Sequence, residues 1–232
     1  MRVSVLVSYH LASVLSLAAA SLWEPNIDFW TAGCEGRSNV TDPSSSVSPT
    51  SKREDRAVND SLVLILFMSR TAARICDELN NTIVVELNKT DIQVNLPGES
   101  QLETLLQGGT PDQTQQVQDV LRKAVSRMSA IGLFLELARN DTMDYSGKIT
   151  ELERKIMEIV CQMYQLMKDI NAEVTSHVTR DLVTSEFRVG LDMSGRHKRN
   201  LLITKGAKAM LCKFVDRLRD LTQMQKLPPL KN

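Results

Sequence analysis

Aromatic residues are scarce in this chain, at 4% of 232 residues, and a core built without them suits packed helices better than an aromatic-rich β sandwich. Histidine is scarcer still, with three, and no Cys-x-x-Cys pair occurs. His177 and His197 lie far in sequence from any cysteine, so a zinc site has little support. Neither charge is in excess, with 28 acids against 28 bases, which leaves no electrostatic reason to bind nucleic acid or a membrane surface. Also missing are a Gly-x-Ser-x-Gly elbow, a His-Glu-x-x-His pair, a phosphate-binding loop and a dinucleotide fingerprint. Acidic pairs such as Glu151 and Glu153 are expected on helix surfaces, where solubility explains them. No enzyme activity is expected, and no catalytic residue, metal ligand or cofactor is assigned.

Aliphatic residues and methionine carry the 42% hydrophobic content, and a chain of this length can bury a real core. The first twenty residues set the expected compartment. Arg2 is followed by an apolar run from Val3 to Ala20, interrupted by Ser8, Tyr9 and His10, and closed by the small residues Ala18, Ala19 and Ala20. This reads as a secretory signal peptide, residues 1–20, cut before Ser21. The polar interruption leaves too short a span for a membrane anchor, and no later segment is apolar enough to insert. Asn-x-Ser/Thr sequons start at Asn39, Asn59, Asn80, Asn88 and Asn140, five of eleven asparagines, a density that favours a glycosylated surface. The even set Cys34, Cys76, Cys161 and Cys212 suits disulfides in an oxidising compartment. A secreted, extracellular glycoprotein is the expectation. Residues 21–52 read as an irregular leader, with Pro25, Gly33, Gly36 and the stretch Asp42–Pro49. Both tryptophans, Trp23 and Trp30, fall there, either covering the domain or standing exposed as contacts.

Residues 53–232 read as one all-α domain of four helices. Helix A is expected from about Arg53 to Leu79, on the face Val58, Leu62, Ile65, Leu66, Ser69, Ala73, Cys76 and Leu79, with Asn80-Asn81 as its stop. Thr82–Val85 has the look of a short β run in a long connection. Helix B should start at Thr110-Pro111 and carry Val117, Val120, Leu121, Ala124, Met128, Ile131, Leu135 and Ala138. Helix C has the face Ile149, Leu152, Ile156, Ile159, Met163, Leu166, Ile170 and Val174. After a break from His177 to Lys198, helix D runs from about Arg199 to Lys226 on Ile203, Ala207, Met210, Leu211, Phe214, Leu218 and Leu221, and Pro228-Pro229 ends it. Each helix is on the order of 40 Å long. The break of about eight residues between B and C spans at most about 28 Å, so those two helices must run antiparallel. The connections A–B and C–D, of roughly 30 and 20 residues, can cross the whole bundle. Long, short, long is the requirement of an up-up-down-down four-helix bundle. Four cysteines allow three pairings; in that topology the end of A lies near the start of D, so Cys76 can meet Cys212 while Cys34 fastens the leader to Cys161.

The cysteine order (one ahead of helix A, one near its end, one in C, one in D), the signal peptide and the run Asp192-Met-Ser-Gly195 before helix D together resemble the interleukin-6-type helical cytokines. The similarity is greatest to the leukemia inhibitory factor and oncostatin M branch, and a divergent, fish-like relative would have this form. The resemblance implies a secreted, monomeric cytokine that assembles receptor ectodomains, namely the shared interleukin-6-type signalling receptor and a leukemia inhibitory factor receptor-like chain, and so drives JAK-STAT signalling in growth or immune responses. In that branch a Phe-x-x-Lys motif at the start of helix D docks a receptor module. The matching positions here are Leu202 and Lys205, with leucine in place of phenylalanine. A second face would combine Arg70 and Arg74 of helix A with Lys155 and Gln162 of helix C.

Arg196, Lys198 and Arg199 fit a furin-like Arg-x-Lys-Arg pattern in what reads as an exposed loop. Such a cluster is either a processing site or a solvated basic patch suited to sulfated sugars. The alternative function is a secreted helical carrier of lipid or a small apolar ligand, which should show a continuous cavity or a wide apolar face. The narrow stripes of helices C and D favour a closed core instead.

Overall fold

The computed structural model describes residues 34, 51–88, 100, 117–141, 143–173, 178–188 and 191–224. The signal segment 1–20, both tryptophans, Asn39, the Thr110-Pro111 start, His177 and Pro228-Pro229 lie outside the described residues. Among the described residues all regular structure is helical. Four long helices, α1 (Ser51–Asn88), α2 (Val117–Arg139), α3 (Ser146–Asp169) and α5 (Met193–Met224), are joined by a short helix α4 (Ser185–Arg188) and a 3-10 turn at Arg180–Leu182. No helix among them is long and apolar enough to cross a membrane.

The core of α1 is Leu62, Ile65, Ser69, Ala72, Cys76, Leu79 and Ile83, all fully buried. Their steps alternate strictly between three and four, the spacing that keeps one seam facing its neighbours along a long helix. That seam carries α1 straight through Asn80-Asn81 to Asn88, and Thr82–Val85 is helix, not strand. Ile83 continues the buried stripe, and Asn80 is held by a cross-helix hydrogen bond. Tertiary burial therefore outweighs the local β preference of the Ile-Val-Val run.

The expected faces of α3 and α5 are buried as read, from Ile149 to Leu166 and from Ile203 to Leu221. Helix α3 ends earlier than its pattern. Asn171 adopts a positive φ of 52°, and the amides of Ala172 and Asn171 bond back to Met167 and Lys168 at 2.8 and 3.1 Å. That is a left-handed helix stop, in which asparagine replaces the usual glycine. Glu153 is buried rather than surface-exposed; Arg139 of α2 reaches it with bonds of 2.9 and 3.0 Å.

Extensive packing joins α1 to α5, α2 to α3, α1 to α3 and α2 to α5. In each pair, contacts run in opposite senses along the two chains. Asp77 and Asn80 of α1 meet Lys208 and Thr204 of α5. Glu78 of α1 meets Lys148 of α3, while Leu64 and Met68 share a groove with Cys161 and Gln165. Gln118 of α2 bonds Ile170, just past the end of α3, and Arg139 bonds Glu153 in the first half of α3. Asp141 just after α2 pairs with Arg199, whereas Val120 and Ala124 lie against Met210 and Phe214.

Residues Ile131–Ala138 of α2 are buried all the way round, because the segment between α3 and α5 covers the side that faces away from the bundle. Phe187 packs edge-on to Phe134 with ring centres 6.1 Å apart, and Arg180 pairs with buried Glu136 at 2.9 Å. That segment had no readable period, yet it is tied down by buried groups.

Helix α5 starts six residues earlier than its apolar pattern suggested. Asp192 caps it, its Oδ1 accepting from the amide of Gly195 at 2.7 Å. The exposed loop expected around Arg196, Lys198 and Arg199 is therefore not what forms. These residues lie within a helix, with Arg196 exposed and Arg199 1% exposed, whereas a furin-type protease acts on an extended backbone with an accessible arginine before the cut.

The disulfide Cys34–Cys161 is formed, but the expected Cys76–Cys212 bridge is not. Both are free thiols, Cys76 buried and Cys212 exposed. The α1–α5 register explains the difference. With Asp77 at Lys208 and Asn80 at Thr204, Cys212 lies a turn beyond the level of Cys76, and the two side chains face different surroundings.

Candidate functional site

At the mouth of the bundle where α2 ends and α5 begins, a buried polar cluster sets the position of the first turns of α5. Tyr145 and His197 bond through the phenol oxygen and Nδ1 at 2.8 Å. Asn200 donates to the Tyr145 oxygen at 3.3 Å and to Asp141 Oδ2 at 2.9 Å. Arg199 donates to the same Asp141 oxygen and to the Phe187 carbonyl. Burial pushes the Tyr145 phenol up to about 12, against the lowering effect of the Asn200 bond. Every member is buried or nearly so, where unmatched polar groups would be costly. The cluster therefore behaves as a lock on the helix start. One turn on, the Thr204 hydroxyl donates to Asn80 Oδ1 at 2.5 Å and fixes α5 to α1.

On that locked helix, Lys205 is exposed and Leu202 is half-buried against the core. Leu202 thus offers a smaller contact surface than an aromatic side chain would. On α1, Arg70 and Arg74 are exposed one turn apart. On α3, Gln162 is exposed, whereas Lys155 is partly covered and paired with Glu158 at 2.9 Å. Burial works against the Glu158 charge, but Lys155 and Arg154 together hold its carboxyl below the usual range. Much of the Lys155 charge is spent within its own helix. Gln162 lies with Leu64 and Met68 of α1 along a groove beside the disulfide, so α1 and α3 do share a surface there. Leu202 and Lys205 belong to a different helix of the bundle.

No family model, no curated protein and no solved structure matches this chain.

Phe67 went unnoticed in the sequence although it is 68% exposed, beside Val63 and Leu64 at 45% each. The available signal was that these apolar residues fall off the buried stripe of α1. Of the sequons, Asn88 and Asn140 are exposed, Asn59 is partly buried, and Asn80 is occupied by Thr204. Among the described residues, no group of three or more His, Cys, Asp or Glu side chains is placed to hold a metal ion. A cleft of about 20 Å³ lies between α2 and α5. The groove beside the disulfide measures about 380 Å³ and mixes Leu64 and Met68 with Glu158, Gln162, Gln165 and Lys168.

Proposed function

We propose that this chain is a secreted helical cytokine of the interleukin-6 type, which binds and assembles cell-surface receptor ectodomains, activates JAK-STAT signalling and catalyses no reaction. The observation that carries this reading is which helices touch. Around the ring α1, α3, α2, α5, each neighbouring pair makes contacts in opposite senses. This supports an up-up-down-down bundle, in which α1 and α2 point one way and α3 and α5 the other, with long connections crossing between ends. A simple up-and-down bundle would seat α1 beside α2 instead. The disulfide from Cys34 to Cys161 supports passage through an oxidising compartment, in keeping with a signal peptide at residues 1–20.

Receptor contacts are assigned to two faces, one with Arg70, Arg74 and Gln162, the other with Leu202 and Lys205. Arginine and aromatic side chains dominate interface energetics, which gives the α1 face more weight than Lys155. The reading as a lipid carrier has less support, because the larger cavity lies at the surface and has charged walls. The test is to apply the purified protein to cells carrying a panel of interleukin-6-type receptors and measure STAT phosphorylation. Wild type is expected to signal, and Lys205→Glu and Arg70→Glu/Arg74→Glu to signal less with unchanged helical content. Silence across the panel would remove the proposal and leave the bundle standing.

A further inference from the structure

Three apolar side chains lie on the solvent side of α1 within five positions: Val63, Leu64 and Phe67, exposed by 45%, 45% and 68%. Single exposed apolar residues are ordinary, but these three continue into exposed Arg70 and Arg74 at steps of three and four from Phe67. They form a stripe that is apolar at one end and basic at the other. Leu64 also lines the groove that holds Cys34 and Cys161, so the disulfide fixes the end of the leader directly beside this stripe.

The residues before Cys34 have the complementary character. Leu22–Trp30 contains Leu22, Ile27 and Phe29 together with Trp23 and Trp30, the only two tryptophans of the chain. Its only charges are acidic, Glu24 and Asp28. Trp30 is four residues from Cys34, a reach of at most about 14 Å, and Trp23 is eleven, at most about 40 Å. Arg74 lies only about 15 Å along α1 from Leu64, so the whole stripe is within the tether. A covalent tether of this length holds the segment at an effective concentration in the millimolar range, and a weak intrinsic affinity then suffices. Asp60, one turn before Leu64, is an exposed acid at the apolar end of this face, while Glu78, one turn beyond Arg74, is paired with Lys148 at 3.2 Å; an acidic segment is thereby turned toward Arg70 and Arg74.

We propose that Leu22–Trp30 docks on this stripe, with its apolar side chains over Val63, Leu64 and Phe67 and Glu24 and Asp28 directed at Arg70 and Arg74. The inference concerns the chain's own fold and does not rest on the receptor reading. A partner that contacts Arg70 and Arg74 would have to displace the leader from them.

Because both tryptophans lie in the leader, intrinsic tryptophan emission of the full oxidised chain reports on the leader alone. The expected result is emission blue-shifted from that of the denatured protein and protected from acrylamide. Leu64→Ser/Phe67→Ser, at exposed positions, should shift it to the denatured wavelength while circular dichroism stays unchanged. Arg70→Glu/Arg74→Glu should increase acrylamide access several-fold. Emission already at the denatured position in the wild type would overturn the proposal. Buried tryptophans indifferent to both double variants would also overturn it, because the leader would then pack elsewhere. A blue shift that disappears on dilution, together with dimers in sedimentation, would assign the stripe to a second copy and likewise overturn it. The readout is independent of signalling, so failure here and failure of the cytokine proposal are separate results.

Discussion

Replacing Arg199 by methionine probes whether a buried charge pair holds the start of α5. Arg199 is 1% exposed, and its guanidinium bonds Asp141 Oδ2 and the Phe187 carbonyl, with Asn200 Oδ1 at 3.3 Å. Methionine keeps much of the length and removes the charge. Asp141, with 10% of its side chain exposed, is then left with the Asn200 amide at 2.9 Å. Stranding one member of a buried pair costs about 3–5 kcal/mol, a large share of the roughly 5–15 kcal/mol that holds a domain together. With an m-value of about 2 kcal/mol/M, the urea midpoint should fall by about 2 M. Asp141→Asn/Arg199→Met removes both charges and should recover most of that loss, because the desolvation penalty goes with the pair. Urea titrations followed by far-UV circular dichroism measure all three proteins. An Arg199→Met loss of only about 0.5 kcal/mol, the scale of an exposed pair, would refute the buried lock. A furin-type protease should likewise leave the wild type whole on a reducing gel, and a fragment beginning at Asn200 would contradict the burial of Arg199.

Other consequences follow from the same packing. Burial, then the neighbouring Asp77, pushes the Cys76 thiol up to about 12, and burial does the same to the Tyr145 phenol. The folded state therefore keeps protons that the unfolded chain loses from about pH 9 for the thiol and about pH 10 for the phenol. This stabilisation is fully present below those values and is lost as pH rises toward 12. Melting temperature should be level to about pH 9 and then fall, less steeply in Cys76→Ala, and identical slopes would count against the buried thiol. Native alkylation should label Cys212 alone and unfolding should add Cys76, so a native protein with no free thiol would show that those two are bridged. Phe187→Ala should cost about 3–5 kcal/mol by opening a cavity against Phe134; a loss under about 1 kcal/mol would mean that the segment carrying α4 does not pack on α2. Asn140→Gln should increase gel mobility by the loss of one glycan, whereas Asn80→Gln should leave mobility unchanged because its side chain serves Thr204.

Reading by period succeeded where a helix buries one narrow face. The stripes of α3 and α5 are such cases, and each of their residues within the described part is buried or half-buried. It failed where local and tertiary preferences diverge. Thr82–Val85 has β-favouring side chains, but Ile83 fills the α1 seam and the helix runs on. Arg196–Arg199 is polar enough to pass for a loop, but Arg199 is matched inside the protein by Asp141 and the Phe187 carbonyl from remote points of the chain. Glu153 shows the same limit, since a carboxylate at helical spacing carries no mark that an arginine 14 residues away will cover it.

What the sequence determined by itself is therefore the set of helices and the faces they bury, because apolar periodicity is local and each helix writes its own. The Cys34–Cys161 link was one of the pairings it allowed, and the fold selected it. Tertiary structure alone decided the end of α1, the early start of α5, and the free state of Cys76 and Cys212. All three depend on the register between helices, which is set by side chains distant in the chain that meet only once the bundle has closed.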